Sequence, residues 1–172
     1  MGSPDLRARA PDLVIRRAEE RDFPAIWPLL RAEAATGETY TYPEDLTESE
    51  GRRHWMPSPG STYIALLGGE VAGSYFLRPN QPGRGSHVAN AGYLVGAAHR
   101  NRGFGRAMCE HSLAEARAAG YLAMQFNIVV STNEAAVALW KKMGFEVVGR
   151  LPKVFRHPRH GLVDALVMHR IL

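Results

Sequence analysis

The residues with the most chemical content lie between positions 92 and 108, in Gly92-Tyr-Leu-Val-Gly-Ala-Ala-His-Arg-Asn-Arg-Gly-Phe-Gly-Arg-Ala-Met108. The stretch runs from a strand-like segment through a loop into a helix-like one. Gly103 and Gly105 let the backbone come close to a ligand, and the first-turn N–H groups of the helix that follows have no partners within it. The helix dipole adds partial positive charge at the same end. Arg100, Arg102 and Arg106 place three guanidinium groups around the turn, suited to two-pronged contacts with phosphate. This is chemistry for holding an anion, and a pyrophosphate fits it. Two nucleotide patterns are excluded by detail. No Lys-Ser or Lys-Thr follows the glycines as a P-loop requires, and Met108 occupies the place of the third glycine in a dinucleotide fingerprint.

The elements around this turn alternate between strand and helix patterns. Leu13 to Arg16 reads as a short strand, after which Asp22 is placed to cap a helix with apolar positions Ile26, Leu29 and Leu30. Thr36 to Asp45 is a polar and aromatic loop. Thr47-Glu48-Ser49-Glu50 has the spacing of a capping box, so a second helix runs toward Trp55 before Pro57 and Pro59 stop it. Thr62 to Leu67 and Glu70 to Leu77, separated by Gly68-Gly69, read as a hairpin. Val88 to Val95 is the strand that feeds the turn. Gly105, Met108, Cys109, Ser112, Leu113 and Ala116 then recur at helical spacing, with Gly120 as the stop. Ala123 to Val130 is a buried-type strand. Asn133 caps a last helix whose Ala136, Leu139, Trp140 and Met143 share a face, and strands Phe145 to Leu151 and Leu162 to Ile171 close a mixed α/β sheet.

The composition fits one domain, expected over residues 13–172, behind a flexible leader at 1–12. The chain has 172 residues, 45% of them hydrophobic and 22% charged, with no linker-sized Pro/Gly/Ser tract and no internal repeat. Its one cysteine, Cys109, cannot form an internal disulfide, which points to a reducing compartment. The leader lacks the apolar core of a secretory signal, and no run is long and apolar enough for a membrane span, so the expected location is cytoplasmic. The formal net charge of +4 is carried almost wholly by arginine, only Lys141, Lys142 and Lys153 being lysine. No basic block of the sort that wraps nucleic acid exists, so a small polyanion is the expected partner rather than nucleic acid or membrane.

Two signatures then converge. Arg100-Asn-Arg-Gly103-Phe-Gly105 resembles the Arg/Gln-x-x-Gly-x-Gly/Ala signature of the GNAT superfamily of N-acetyltransferases, with its preceding strand and following helix. Asn133-Glu-Ala-Ala136-Val-Ala-Leu139-Trp140-Lys-Lys142-Met-Gly144-Phe145 resembles the second, Asn-x-x-Ala-x-x-Leu-Tyr-x-Lys-x-Gly-Phe. The resemblance spans about Leu13 to Leu172. It implies a mixed, mostly antiparallel twisted sheet with flanking helices, in which two central parallel strands, Val88 to Val95 and Ala123 to Val130, splay apart to admit the pantetheine of acetyl-CoA. It implies that backbone groups of Leu94 and Val95 pair with the pantetheine. Amides of Asn101, Arg102, Gly103, Phe104, Gly105 and Arg106, with Arg100 beside them, would hold the pyrophosphate. Asn133, Ala136, Trp140 and Lys142 of the second signature are assigned to the cosubstrate by the same resemblance. No metal is implied, and many relatives are homodimers.

The sequence departs from that pattern at the chemical centre. Where many relatives have a tyrosine that protonates the departing thiolate, this chain has Trp140, and an indole is no practical proton source near neutral pH. The strand Val88 to Val95 carries no Asp or Glu to serve as base, and His87 at its edge is the nearest titratable candidate. His157-Pro-Arg-His160 reads as a solvated loop, because no Cys, Asp or Glu cluster accompanies it. Cys109, on an apolar helix face, reads as a packed thiol.

Amides stand in that neighbourhood instead. Asn90 and Asn127 interrupt the two central strands, each needing a defined partner if buried, structural or ligand. The set Asn90, Tyr93, Asn127 and Asn133, with Trp140, is similar to that of the L-azetidine-2-carboxylate (proline-analogue) N-acetyltransferases of yeast. That likeness implies that Asn90 and Asn127 orient a small amino or imino acid while Asn133 sits near the thioester. On the acceptor side Tyr40 and Tyr42 would wall a small pocket and Glu38 would attract an amine, or the segment is a solvated connection between helices. The expected activity is acetyl transfer from acetyl-CoA to a small-molecule amine. A protein or antibiotic acetyltransferase, and a CoA-binding module that has lost turnover, are the alternatives.

Overall fold

The computed structural model describes residues 13–172; the leader expected at 1–12 lies outside them. Strand β1 (Leu13–Arg17) leads through a 3-10 turn into α1 (Phe23–Thr36), and α2 (Glu48–Trp55) follows. The capping box forms as its spacing predicts: Thr47 accepts from the Glu50 amide, and the Glu50 carboxylate accepts from the Thr47 amide. Asp22 behaves differently from expectation. Its carboxylate makes no cap bond to α1 but accepts from both Arg16 Nη atoms at 2.8 Å and from the Glu19 amide at 2.7 Å, tying β1 to the turn.

The hairpin β2 (Ser61–Leu67) and β3 (Glu70–Pro79) turns through Gly68 and Gly69, both at positive φ, where glycine carries no Cβ penalty. Then come β4 (Val88–Val95), α3 (Phe104–Ala118), β5 (Ala123–Val130), α4 (Glu134–Lys142), β6 (Glu146–His157) and β7 (Gly161–Ile171). Strand β6 runs well past Leu151, where the sequence pattern ends it. Pro152 is absorbed in a register shift between Leu151 and Phe155, with Lys153 at φ 55°, and β6 is an edge strand, where a missing amide donor is tolerated. The segment expected to be loop at 157–160 is therefore the tight turn of a long hairpin.

The seven strands are ordered β1-β2-β3-β4-β5-β7-β6. Every neighbouring pair is antiparallel except β4 and β5, which are parallel and joined only at Val88 with Ala123 and Ala89 with Met124. Beyond those two pairs the strands part, while β4 stays paired with β3 along its length and β5 with β7. The splay survives because each face of the sheet is covered. Phe23, Ile26, Leu30 and Trp55 of the first two helices pack on Ile64, Phe76 and Leu94. Met108, Cys109, Leu113 and Ala116 of α3 pack on Tyr63, Tyr75 and Met124 in a second cluster. The fold is the mixed, mostly antiparallel sheet with one splayed parallel pair.

Candidate active site

A cleft of about 700 Å³ opens where β4 and β5 part. One wall is the end of β4, Tyr93 to Val95, with the turn that follows it, and a second is the start of α4 with Asn133, Ala136 and Trp140. The rest comes from Glu33, Glu38 and Thr39 around the end of α1, and from His157, Arg159 and His160 of the β6–β7 turn. A smaller recess of about 160 Å³ shares Tyr93, Asn133 and Trp140 with it and adds Tyr40, Gly92, Phe126 and Ile128.

The glycine turn has the geometry its sequence calls for. Asn101 and Gly103 take positive φ, 59° and 84°, and Gly103 is the N-cap of α3 with no side-chain cap bond. The first intrahelical bond runs from the Ala107 amide to the Gly103 carbonyl, so the amides of Phe104, Gly105 and Arg106 are free of helical partners. A Cβ built on Gly103 meets no atom within 4 Å, whereas one on Gly105 reaches Leu139 at 3.4 Å. The first glycine thus faces open space and the second permits helix packing. The arginines are not equivalent. Arg100 crosses to Glu33 at 2.7 Å, Arg106 pairs with Glu110 at 2.8 Å, and Arg102 stacks over Phe104 at 5.5 Å.

Asn133 works in two directions. Its Oδ1 accepts from the Ala136 amide at 3.2 Å and caps α4, which leaves Nδ2 as the donor on a residue that lines both cavities. Trp140 lies against Tyr93 and Phe126 with ring centroids 4.9 Å apart in each case. The Tyr93 hydroxyl is bonded to Ser112 at 2.7 Å, and burial pushes its pKa well above the usual phenol value. Burial raises Tyr40 in the same way. Neither phenol ionises in the working range. Glu33 is fully engaged, Oε1 accepting from Thr39 at 2.6 Å and Oε2 from Arg100.

Several residues singled out from sequence lie elsewhere. His87 is exposed at the start of β4, the opposite end of the strand from the glycine turn, and lines neither cavity. Asn90 bridges the fork itself, donating from Nδ2 to the Gln125 carbonyl at 3.0 Å, so its partner is structural. Asn127 sits on the bulge of β5 and is exposed, donating to Asn80 at 2.7 Å and accepting from Gln125 at 2.8 Å. Lys142, at the end of α4, is exposed and outside the cleft. Tyr42 does not reach the cleft; it stacks on Tyr40 at 5.2 Å and on His54 at 4.9 Å. Glu38 does line it, and Tyr40 lines the smaller recess beside it. Cys109 is fully buried, and burial pushes its thiol up to about 12.

Sequence reasoning missed Glu33, Thr39, Arg159 and the two imidazoles at 157 and 160. The available signal was in β6: the apolar residues Val154 and Phe155 continue the strand beyond Pro152, which turns 157–160 back toward the sheet. His157 is only 5% exposed, and its Nδ1 accepts from the Arg159 amide at 3.1 Å. Among the described residues no group of three or more His, Cys, Asp or Glu side chains is placed to hold a metal ion, and no helix is long and apolar enough to cross a membrane.

A sheet that splays at its one parallel pair, beside an uncapped helix start ready for a phosphate, defines an acyl-CoA-dependent transferase. The chain belongs to the acetyltransferase (GNAT) family, whose model matches residues 15–145. It is an acetyl-CoA-dependent N-acetyltransferase. A GCN5-related N-acetyltransferase from Kribbella flavida superposes with a TM-score of 0.89 at 47% identity, covering 93% of this chain and 98% of that one. The L-amino acid N-acetyltransferase AaaT of Escherichia coli is 29% identical over 93% of this chain and 98% of its own. The N-acetyltransferase aca1 of Schizosaccharomyces pombe is 36% identical over 98 residues, 56% of this chain and 47% of its own, so the match spans about half of that relative.

Proposed function

We propose that the protein acetylates the primary or secondary amine of a small amino or imino acid. The observation that carries this reading is the charge on the acceptor side. Glu38 is ion-paired across the cleft to Arg159 at 2.6 Å, beside the Tyr40 hydroxyl bonded to the Tyr93 backbone, so groups of both signs meet where a small zwitterionic amine would enter. The likeness to AaaT of Escherichia coli supports an amino acid acceptor.

Acetyl-CoA supplies an activated acyl carbonyl and a thiolate leaving group. The Gly103–Arg106 amides hold its pyrophosphate, and Leu94 and Val95 offer backbone groups to its pantetheine arm. The neutral amine forms the new C–N bond as the C–S bond breaks. The amine gives up one proton and the CoA sulfur gains one, so the products are the N-acetyl compound and free CoA thiol. Asn133 Nδ2 and the N-terminus of α4 stabilise the departing thiolate, and water protonates it, since Trp140 has no acidic proton to give. The amine's proton leaves on the imidazole side of the cleft. His157 is unsuited to take it, because its Nδ1 lone pair is committed to the Arg159 amide and Nε2 carries the proton in the neutral ring. His160 stacks beside it with centroids 4.5 Å apart, and it takes the amine's proton directly or through water.

The test is release of CoA thiol from acetyl-CoA with a panel of amino acids, proline analogues, aminoglycosides and peptides. The buried Cys109 adds no fast background to a thiol reagent. Turnover confined to peptides or aminoglycosides overturns the amino acid reading, and acetyl-CoA binding without turnover on any amine shows a CoA-binding module.

A further inference from the structure

Resting on that reading, we propose that the Arg159–Glu38 pair is the recognition site for the acceptor's zwitterion, Arg159 holding the carboxylate and Glu38 the ammonium. The two charges come from different elements and line the same cleft: Arg159 from the β6–β7 turn, Glu38 from the segment after α1. Nη2 of Arg159 lies 2.6 Å from Oε1 of Glu38, and among the described residues neither side chain is ion-paired to any other.

The pair is open enough to exchange partners. Its side chains are 69% and 34% exposed, so solvent screens it and it contributes little to stability. The second bridge across the cleft, Arg100 to Glu33, is built differently. There the carboxylate is 16% exposed and Thr39 occupies its other oxygen, so it is a fixture of the wall. An amino acid entering the Arg159–Glu38 contact replaces one ion pair by two of matching sign, and the planar guanidinium fork suits a carboxylate bidentately.

The turn that presents Arg159 is anchored from beneath. Nδ1 of the buried His157 accepts from the Arg159 backbone amide, which fixes the root of the side chain while its head is exposed to solvent. Of the other lining arginines, Arg100 is held by Glu33 and Arg106 by Glu110 beside the glycine turn. Asn90 and Asn127, expected from sequence to orient the acceptor, are committed to Gln125 and Asn80 outside the cleft. Arg159 is left as the cation for an acceptor carboxylate.

The experiment measures kcat/KM for L-alanine, L-methionine and L-azetidine-2-carboxylate against their carboxamides, in the wild type and in Arg159→Gln, Arg159→Lys and Glu38→Gln. The wild type prefers each acid at least tenfold. Arg159→Gln loses at least tenfold of that preference through KM for the acid, with KM for acetyl-CoA within twofold, and Arg159→Lys restores part of it. Glu38→Gln weakens acids and carboxamides alike, since both carry the ammonium. Acids preferred by the wild type and still preferred by Arg159→Gln overturn the assignment while the amino acid reading stands. A tenfold rise in KM for acetyl-CoA in Arg159→Gln also overturns it, because Arg159 then serves a phosphate. A wild type that does not prefer acids, or turns over none of these amines, removes the amino acid reading and this site with it.

Discussion

One oxygen of Tyr40 serves both backbone groups of Tyr93: the hydroxyl accepts from the Tyr93 amide and donates to the Tyr93 carbonyl, each at 2.8 Å. Those groups point toward β5, from which β4 has already parted, so a side chain from the loop after α1 replaces the missing strand. Tyr40→Phe leaves both unpaired in a recess walled mainly by apolar side chains. The expected cost is about 1–3 kcal/mol, or roughly 2–4 °C in Tm for each kcal/mol at this chain length. Urea and thermal unfolding measure it, and a variant as stable as the wild type would show that the recess is wet.

Gly103 and Gly120 form a matched pair at the two ends of α3. Both have φ 84°, and a Cβ on either meets nothing within 4 Å. Alanine at either site carries the same left-handed backbone penalty, about 1–2 kcal/mol. Only Gly103 lines the cleft. Gly103→Ala therefore raises KM for acetyl-CoA at least tenfold, while Gly120→Ala destabilises equally and leaves that KM within twofold. Equal effects on KM would mean that strain, not backbone approach, is what the glycine relieves.

Trp140 fills space between Tyr93 and Phe126 and carries no proton to donate at neutral pH. Trp140→Phe keeps kcat within a few-fold, with the pH profile unchanged in shape. A hundredfold fall in kcat, with folding and acetyl-CoA KM intact, would give the indole a chemical role.

The legible parts of the molecule were those in which local chemistry and tertiary structure agree. Thr47 with Glu50, Asn133 with Ala136, and Gly103 with its uncapped helix each form from residues a few positions apart, so spacing alone sufficed. The strands flanking the fork, Val88–Val95 and Ala123–Val130, have the bounds that their apolar patterns predict. What failed was long-range. Asn90 looks like a ligand residue in sequence because nothing local says that its partner is a carbonyl 35 positions away. Arg159 looks solvated because its ionic partner is Glu38, and Pro152 hides the strand that brings the two together.

Asp22 gives the fold an acid limb. Its hydrogen bonds from Arg16, with the Glu19 amide adding to them, hold its carboxyl at about 2. A folded pKa below the unfolded one means stability that is fully present above about pH 4 and lost as pH falls through about 2. Asp22→Asn removes that contribution, on the order of 1 kcal/mol after solvent screening of the half-exposed Arg16. The stability gap between wild type and variant should close between pH 4 and pH 2 in urea titrations, and a gap that stays constant would place the titration on other carboxylates.

Asn90 and Asn127 separate a structural amide from a superficial one. Both interrupt central strands, and the sequence points both toward the acceptor. Asn90 is 9% exposed and its Nδ2 meets the Gln125 carbonyl just past the last parallel pair, so it closes the fork where backbone bonding stops. Asn90→Ala strands that carbonyl and costs about 1–3 kcal/mol. Asn127 lies on the β5 bulge in an exposed amide chain with Asn80 and Gln125, where a substitution stays within about 0.5 kcal/mol. Neither side chain lines the cleft, so KM for the acceptor should move less than twofold in Asn127→Ala, and in Asn90→Ala only as far as the loosened fork disturbs Tyr93. Paired unfolding and steady-state measurements decide it. A tenfold rise in acceptor KM for Asn127→Ala at unchanged stability would return the carboxylate to the asparagines and take it from Arg159.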